Sequence, residues 1–335
     1  MASSSPHAAA PFLLLLLLQL CSWGVALPDQ FVDPTCPQQR LPAALATVLP
    51  NYGGPVCKPP APHVPVAVFP YDVDPVQFAL NLEYNEAEFF LHGAYGQGLD
   101  QIAPGMAMGG PPPEFALQAR SWPHQGYQAH GRRDSSAADR PQRRQLRQGV
   151  MDQAFGYRLN PPFDPYANSL NFLLACYVIP YLGINGYVGT NPMIDGYKTK
   201  ELVAGLLGVE AGQDAVFRAL LFERRGEAVP PYNITVAEFT DRVSALRNRL
   251  GRCGVKDEGL TVPRELGAEG AICTNVLSAD RDSLSYARTP AQLLGILYLT
   301  SDERKPGGFY PEGANGKIAR SFLGKPLGAN ESPTN

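Results

Sequence analysis

At 335 residues, with 44% apolar and 18% charged residues, the chain can hold one large domain or two modest ones around a sizeable core. That composition excludes a disordered protein. A formal net charge of -3 gives no general reason to expect nucleic acid or an anionic membrane as partner.

The chain opens with a compact apolar run, PFLLLLLLQLCSW, followed by Gly24, Val25 and Ala26, small residues at the spacing a signal peptidase accepts. The run is shorter than the roughly 20 residues that span a bilayer. Residues 1–26 are therefore expected to be a cleaved secretory signal, leaving no membrane attachment in the mature chain, although the only basic groups ahead of the run are His7 and the terminal amine. Export agrees with cysteine usage. Cys21 leaves with the signal, and the mature chain keeps Cys36, Cys57, Cys176, Cys253 and Cys273. Cys176, inside an apolar run, reads as a small buried hydrophobe. Cys253 with Cys273 is the expected bridge in a loop-rich region, worth ~3 kcal/mol, and Cys36 with Cys57 is the matching N-terminal pair. The sequons at Asn233 and Asn330 are expected glycosylation acceptors.

Residues 27–70 are rich in proline and read as extended or irregular. A helix follows from about Asp74, a plausible N-cap with Pro75 in the first turn, to about Gly96. Further helices are expected over Pro165 to Gly183 with a kink at Pro180, over Thr199 to Arg225, and from Thr235 to a stop at Gly251, where Thr235 and Glu238 match a capping box. A last helix is expected after Thr289, with Pro290 in its first turn. One segment breaks this pattern. Residues 117–150 hold seven arginines, two aspartates and almost no aliphatic side chains, so they cannot cover a core and read as an irregular insert. The alternative is a polyanion-binding module using Arg132 to Arg147.

The sequence has no Gly-x-Ser-x-Gly elbow, no complete phosphate loop, no His-Glu-x-x-His and no EF-hand spacing. The remaining chemistry lies in ALNLEYNEAEFFLHG, residues 79–93, which puts three glutamates into an apolar helix. At about 100° per residue, Val76, Ala79, Ala87, Phe90 and Ala94 fall on the face of Glu83. Gln77, Asn85, Glu88 and His92 gather opposite it, so Glu83 is expected inside, Glu88 in solvent and Glu86 at the edge. The helix from Thr199 repeats the arrangement: Glu210 shares its face with Val203, Leu206, Phe217, Leu221, Gln213 and Asp214. Inward carboxylates on two helices are half of a dinuclear metal bundle, in which two helices each supply a Glu and two supply Glu-x-x-His.

At these residues, and again in QAFGYRLNPPFDPYANSLNFLLACYVIPYLGINGYVGTNP, VAGLLGVEAGQDAVFRALLFER, VPPYNITVAEFTDRVSALRNRLG, NVLSADRDSLSYARTP and GGFYPEGANGKIAR, the chain resembles the ferritin-like desiccation-related proteins of plants. The resemblance covers most of the mature chain. It implies an all-α, ferritin-like four-helix bundle over residues 71–226, interrupted by the insert, and an accessory C-terminal region over 227–335. It also implies export to the apoplast or cell wall, with cell-wall components as conceivable partners, and association with dehydration stress. Glu83 matches the ligand of the first ferritin helix and Glu210 that of the fourth. The departures matter equally. Gln213 replaces the fourth-helix histidine, and Pro180 falls about where the third helix would carry its glutamate. The insert occupies the place of the second-helix Glu-x-x-His, and no glutamate occurs between Glu114 and Glu201. The abrupt loss and return of resemblance there suggests an altered reading frame or a mis-spliced gene.

The expectation is a secreted, stress-associated protein without turnover and without a cofactor. Glu83, Glu86, Glu210, Gln213 and Asp214 would then be a vestigial metal site kept as a hydrogen-bonded polar core. The alternative is a metal-binding protein or metal-dependent oxidoreductase that uses those carboxylates for iron or manganese.

Overall fold

The computed structural model describes residues 66–95, residue 99 and residues 149–324. The signal, the Cys36 and Cys57 pair, nearly all of the arginine-rich insert and the Asn330 sequon lie outside the described residues.

Helix α1, Val73–Tyr95, follows a single 3-10 turn at Pro70–Asp72. Asp72, rather than Asp74, carries the structural load at this end. Its buried carboxylate accepts from Asp195 N–H at 3.2 Å and Gly196 N–H at 2.8 Å, tying the start of α1 to the backbone just ahead of Tyr197.

The long helix expected over Pro165 to Gly183 is two helices, α2 at Ser169–Cys176 and α3 at Pro180–Thr190. Asn168 caps α2 by accepting from Asn171 N–H at 2.9 Å. Pro180 does more than kink the chain: a proline inside a helix removes an N–H and clashes with the carbonyl four residues back, so it begins a new helix instead. The carbonyls of Tyr177 and Val178, freed at the break, are taken by the buried Arg247 guanidinium at 2.7 and 3.0 Å. The run Ser169–Met193 is apolar enough by length and composition to cross a membrane, yet 83% of its most apolar window is buried inside the protein. It is the centre of the core.

Helix α4, Tyr197–Glu223, packs along α3 and is followed by a two-stranded antiparallel hairpin, β1 at Ala228–Val229 and β2 at Ile234–Thr235. Asn233 sits exposed in its turn with φ 54°. Helix α5, Val236–Gly251, starts on Thr235, whose hydroxyl accepts from Glu238 N–H at 3.2 Å. Its left-handed stop is Arg252, φ 59°, not Gly251. Gly251 is needed inside the helix because a Cβ there would lie 2.2 Å from Nη1 of Arg288.

The accessory region is mostly irregular. It holds α6 at Pro290–Leu297, entered through a complete Thr289–Gln292 capping box, and α7 at Lys317–Phe322. One apolar cluster runs from Phe78 of α1 to Ala319 of α7, so this region shares the bundle's core. Polar contacts reinforce the join: Asn81 Nδ2 donates to Asn315 O at 3.0 Å, and Tyr310 OH donates to Asn81 O at 2.6 Å.

Two further expectations fail. Glu88, assigned to solvent by the wheel, is buried, and its carboxylate accepts from Leu99 N–H at 2.8 Å. A wheel sees only the helix, whereas the backbone at residue 99 returns over that side. Cys253 and Cys273 are exposed free thiols rather than a bridge. Cys253 follows the left-handed turn that ends α5, and Cys273 is held elsewhere, its carbonyl accepting from Val262 N–H at 3.1 Å.

Candidate carboxylate site

Two helices bring the acidic residues together. Glu83 and Glu86 lie one turn apart on α1, and Glu210 faces them from α4; all three are buried. Helix α3 packs against both helices and presents a glycine to Glu210, since a Cβ on Gly183 would sit 2.0 Å from Glu210 Oε1. One turn further along α3, Tyr187 is buried and its hydroxyl donates to Glu83 Oε1.

The cluster has too few hydrogen bonds for its charge. Both oxygens of Glu86 and Oε1 of Glu210 are buried without a conventional partner, and no salt bridge reaches Glu83, Glu86 or Glu210 among the described residues. Glu86 and Glu210 face each other across the two helices, and facing carboxylates repel unless a proton or a cation comes between them. Burial, then the neighbouring Glu83, pushes Glu86 up to about 8. Burial together with Glu86 and Glu83 holds Glu210 well above the usual carboxylate range. Glu83 is raised by burial against the opposing Tyr187 hydrogen bond, and Tyr187 is raised by burial and by the surrounding glutamates. Burial and mutual repulsion therefore disfavour three free carboxylates here, a cost that a proton or a bound cation would relieve.

The next turns of α4 lead into an environment of opposite character. Asp214 is buried, but its Oδ2 accepts from Arg218 Nε at 2.7 Å. Arg218 lies 3.7 Å from Asp257, and Arg247 pairs with Asp257 from the other side. Both guanidiniums stack on Tyr177 at 4.7 Å and on Tyr181 at 4.8 and 5.0 Å. Burial opposes charge on Arg218, but Asp214 and Asp257 leave its pKa above the ordinary value. Two arginines and two aspartates make this set neutral. The three glutamates have no such counterions.

Of the residues singled out in the sequence, Glu83, Glu86 and Glu210 are thus brought together. Asp214 turns to Arg218, and Gln213 is buried with Nε2 unpartnered. Tyr187 and the buried Arg218 and Arg247 are absent from the sequence reading. The spacing of Gly183, Gly186 and Gly189 carried a usable signal for a close helix approach: a Cβ at these positions would meet Glu210, Leu293 and the Arg288 backbone in turn.

A ferritin-like fold implies a dinuclear metal centre, and the residues can be tested against one. The orphaned oxygens of Glu86 and Glu210 favour a cation. The rest of the donor set does not fit. Gln213 stands where a histidine would be needed, Gly183 supplies no ligand from α3, and the chain has no glutamate between Glu114 and Glu201. No group of three His, Cys, Asp or Glu side chains converges as a metal site among the described residues.

A family model described as the ferritin-like domain matches residues 71–223. The ferritin-like catalase Nec2 of Nesocodon mauritianus is 51% identical over 289 residues, 82% of this chain and 93% of that protein. The desiccation-related protein PCC13-62 of Craterostigma plantagineum is 49% identical over 261 residues, 73% of this chain and 83% of that one. No solved structure matches. Helices that bury facing glutamates, and relatives near half identity along most of the chain, agree: this protein belongs to the ferritin-like family that includes the desiccation-related proteins.

Proposed function

We propose that the protein is a secreted, stress-associated ferritin-like protein that performs no metal-dependent turnover and keeps the family's carboxylates as a proton-sharing polar core. The observation that supports this reading is the donor set itself: Glu83, Glu86 and Glu210 converge with raised pKa values, while Gln213 stands in place of a histidine and Gly183 supplies no ligand from α3. The relative named for desiccation supports the stress association. The exposed turn position of Asn233 suits glycosylation during export. Peroxide turnover provides the test. Purified protein should release no more oxygen from hydrogen peroxide than a Glu210→Gln variant, and an enzymatic rate abolished by that substitution would overturn the reading.

A second reading is favoured by one specific finding, the relative named a ferritin-like catalase. Under it, Glu83, Glu86 and Glu210, with Asp214 and the Gln213 amide oxygen nearby, would hold iron or manganese. The same peroxide assay separates the two.

A further inference from the structure

The bundle contains a cavity of about 40 Å³ enclosed by α1, α3 and α4, with Leu293 of α6 closing one side. It starts at Pro75, Thr190 and Leu202, all partly exposed, and ends at Glu83 and Gly183, both buried. From Pro75 to Glu83 is eight residues of α1, about 12 Å along the helix axis. Apart from Glu83, Tyr187 and Thr190, every lining residue is apolar, proline or glycine. A space of this volume matches about three water molecules, but such a wall offers water few partners. The polar groups gather instead at one place. Tyr187 donates to Glu83 Oε1, which leaves the other carboxyl oxygen to interact with whatever fills the cavity.

We propose that this cavity binds a small neutral molecule, an apolar body of about three to four heavy atoms with a single oxygen at one end, seated with that oxygen on the Glu83 carboxyl. The aliphatic wall selects the body and excludes charged species. The carboxyl at the inner end fixes the orientation, because its second oxygen accepts no hydrogen bond among the described residues and a ligand hydroxyl can pair with it. The assignment rests on Glu83 being free of metal, so the metal content of each sample is measured alongside.

The experiment is an NMR titration of methyl resonances in the full chain with two probes, 1-propanol and xenon. Both should give saturable shifts at Ala79, Val203 and Leu206, and each should compete with the other. Ala79→Leu, which fills the cavity, should abolish both; Val203→Leu serves if that variant does not fold. Glu83→Met should retain xenon and weaken 1-propanol about tenfold, the worth of one hydrogen bond. Failure of both probes to saturate, persistence of the shifts in the filled variants, or equal 1-propanol affinity in Glu83→Met would overturn the proposal. Loss of 1-propanol binding only in metal-containing samples, with xenon retained, would instead indict the metal-free reading of Glu83.

Discussion

Glu86 is the residue on which the electrostatics of the core turn. Its pKa is raised from 4.5 to about 8, so the folded protein holds a proton that the unfolded chain releases above pH 4.5. Stability from this group is complete below pH 4.5, falls as pH rises, and stops falling once pH passes about 8. At roughly 1.4 kcal/mol per pKa unit the loss is on the order of several kcal/mol. Glu86→Gln should therefore flatten the pH dependence between 5 and 8 and be more stable than the parent at pH 8, read as a shift in urea midpoint. Arg247 presents the opposite case. Arg247→Met would leave Asp257 short of a counterion and abandon the carbonyls of Tyr177 and Val178. A loss of about 3–5 kcal/mol is expected, at every pH, in the same denaturation measurement.

At the scale of elements, helix placement was largely legible because it depends on local signals. Thr235 and Thr289 cap as their sequence neighbours indicate, and the inward faces of α1 and α4 follow from apolar spacing alone. What was not legible depends on chain segments far apart in sequence. Glu88 is buried by the return of residue 99, and the break before Pro180 is sealed by an arginine 67 or more positions later. The close approach of α3 to α4 was signalled only by glycine spacing. Gly183→Ala should force the two helices apart or displace Glu210, since the added carbon would lie 2.0 Å from its Oε1. A destabilisation of about 1–3 kcal/mol is expected. Combining it with Glu210→Ala should recover most of that loss, and a double-mutant cycle showing simple additivity would contradict the contact.

Over the whole molecule, two buried polar centres share helix α4 and differ in kind. The Asp214–Arg218–Asp257–Arg247 set is electrically closed and binds the bundle to the loop-rich accessory region, where Arg218 donates to Gly259 O at 3.2 Å and Asn275 O at 3.1 Å. The Glu83–Glu86–Glu210 set is electrically open, since no salt bridge reaches it among the described residues. The departures from the ligand set that the resemblance implies were legible in the sequence, because Gln213 and the absence of glutamate from 115 to 200 are visible without coordinates. The convergence of Glu86 and Glu210 was not visible, since it depends on two helices meeting across the bundle. The most direct test is the metal content of the full chain after loading with ferrous iron or manganese and desalting, measured beside Glu83→Ala. The proton-sharing core predicts substoichiometric metal, equal in both proteins; one or more ions per chain, lost in Glu83→Ala, would contradict it.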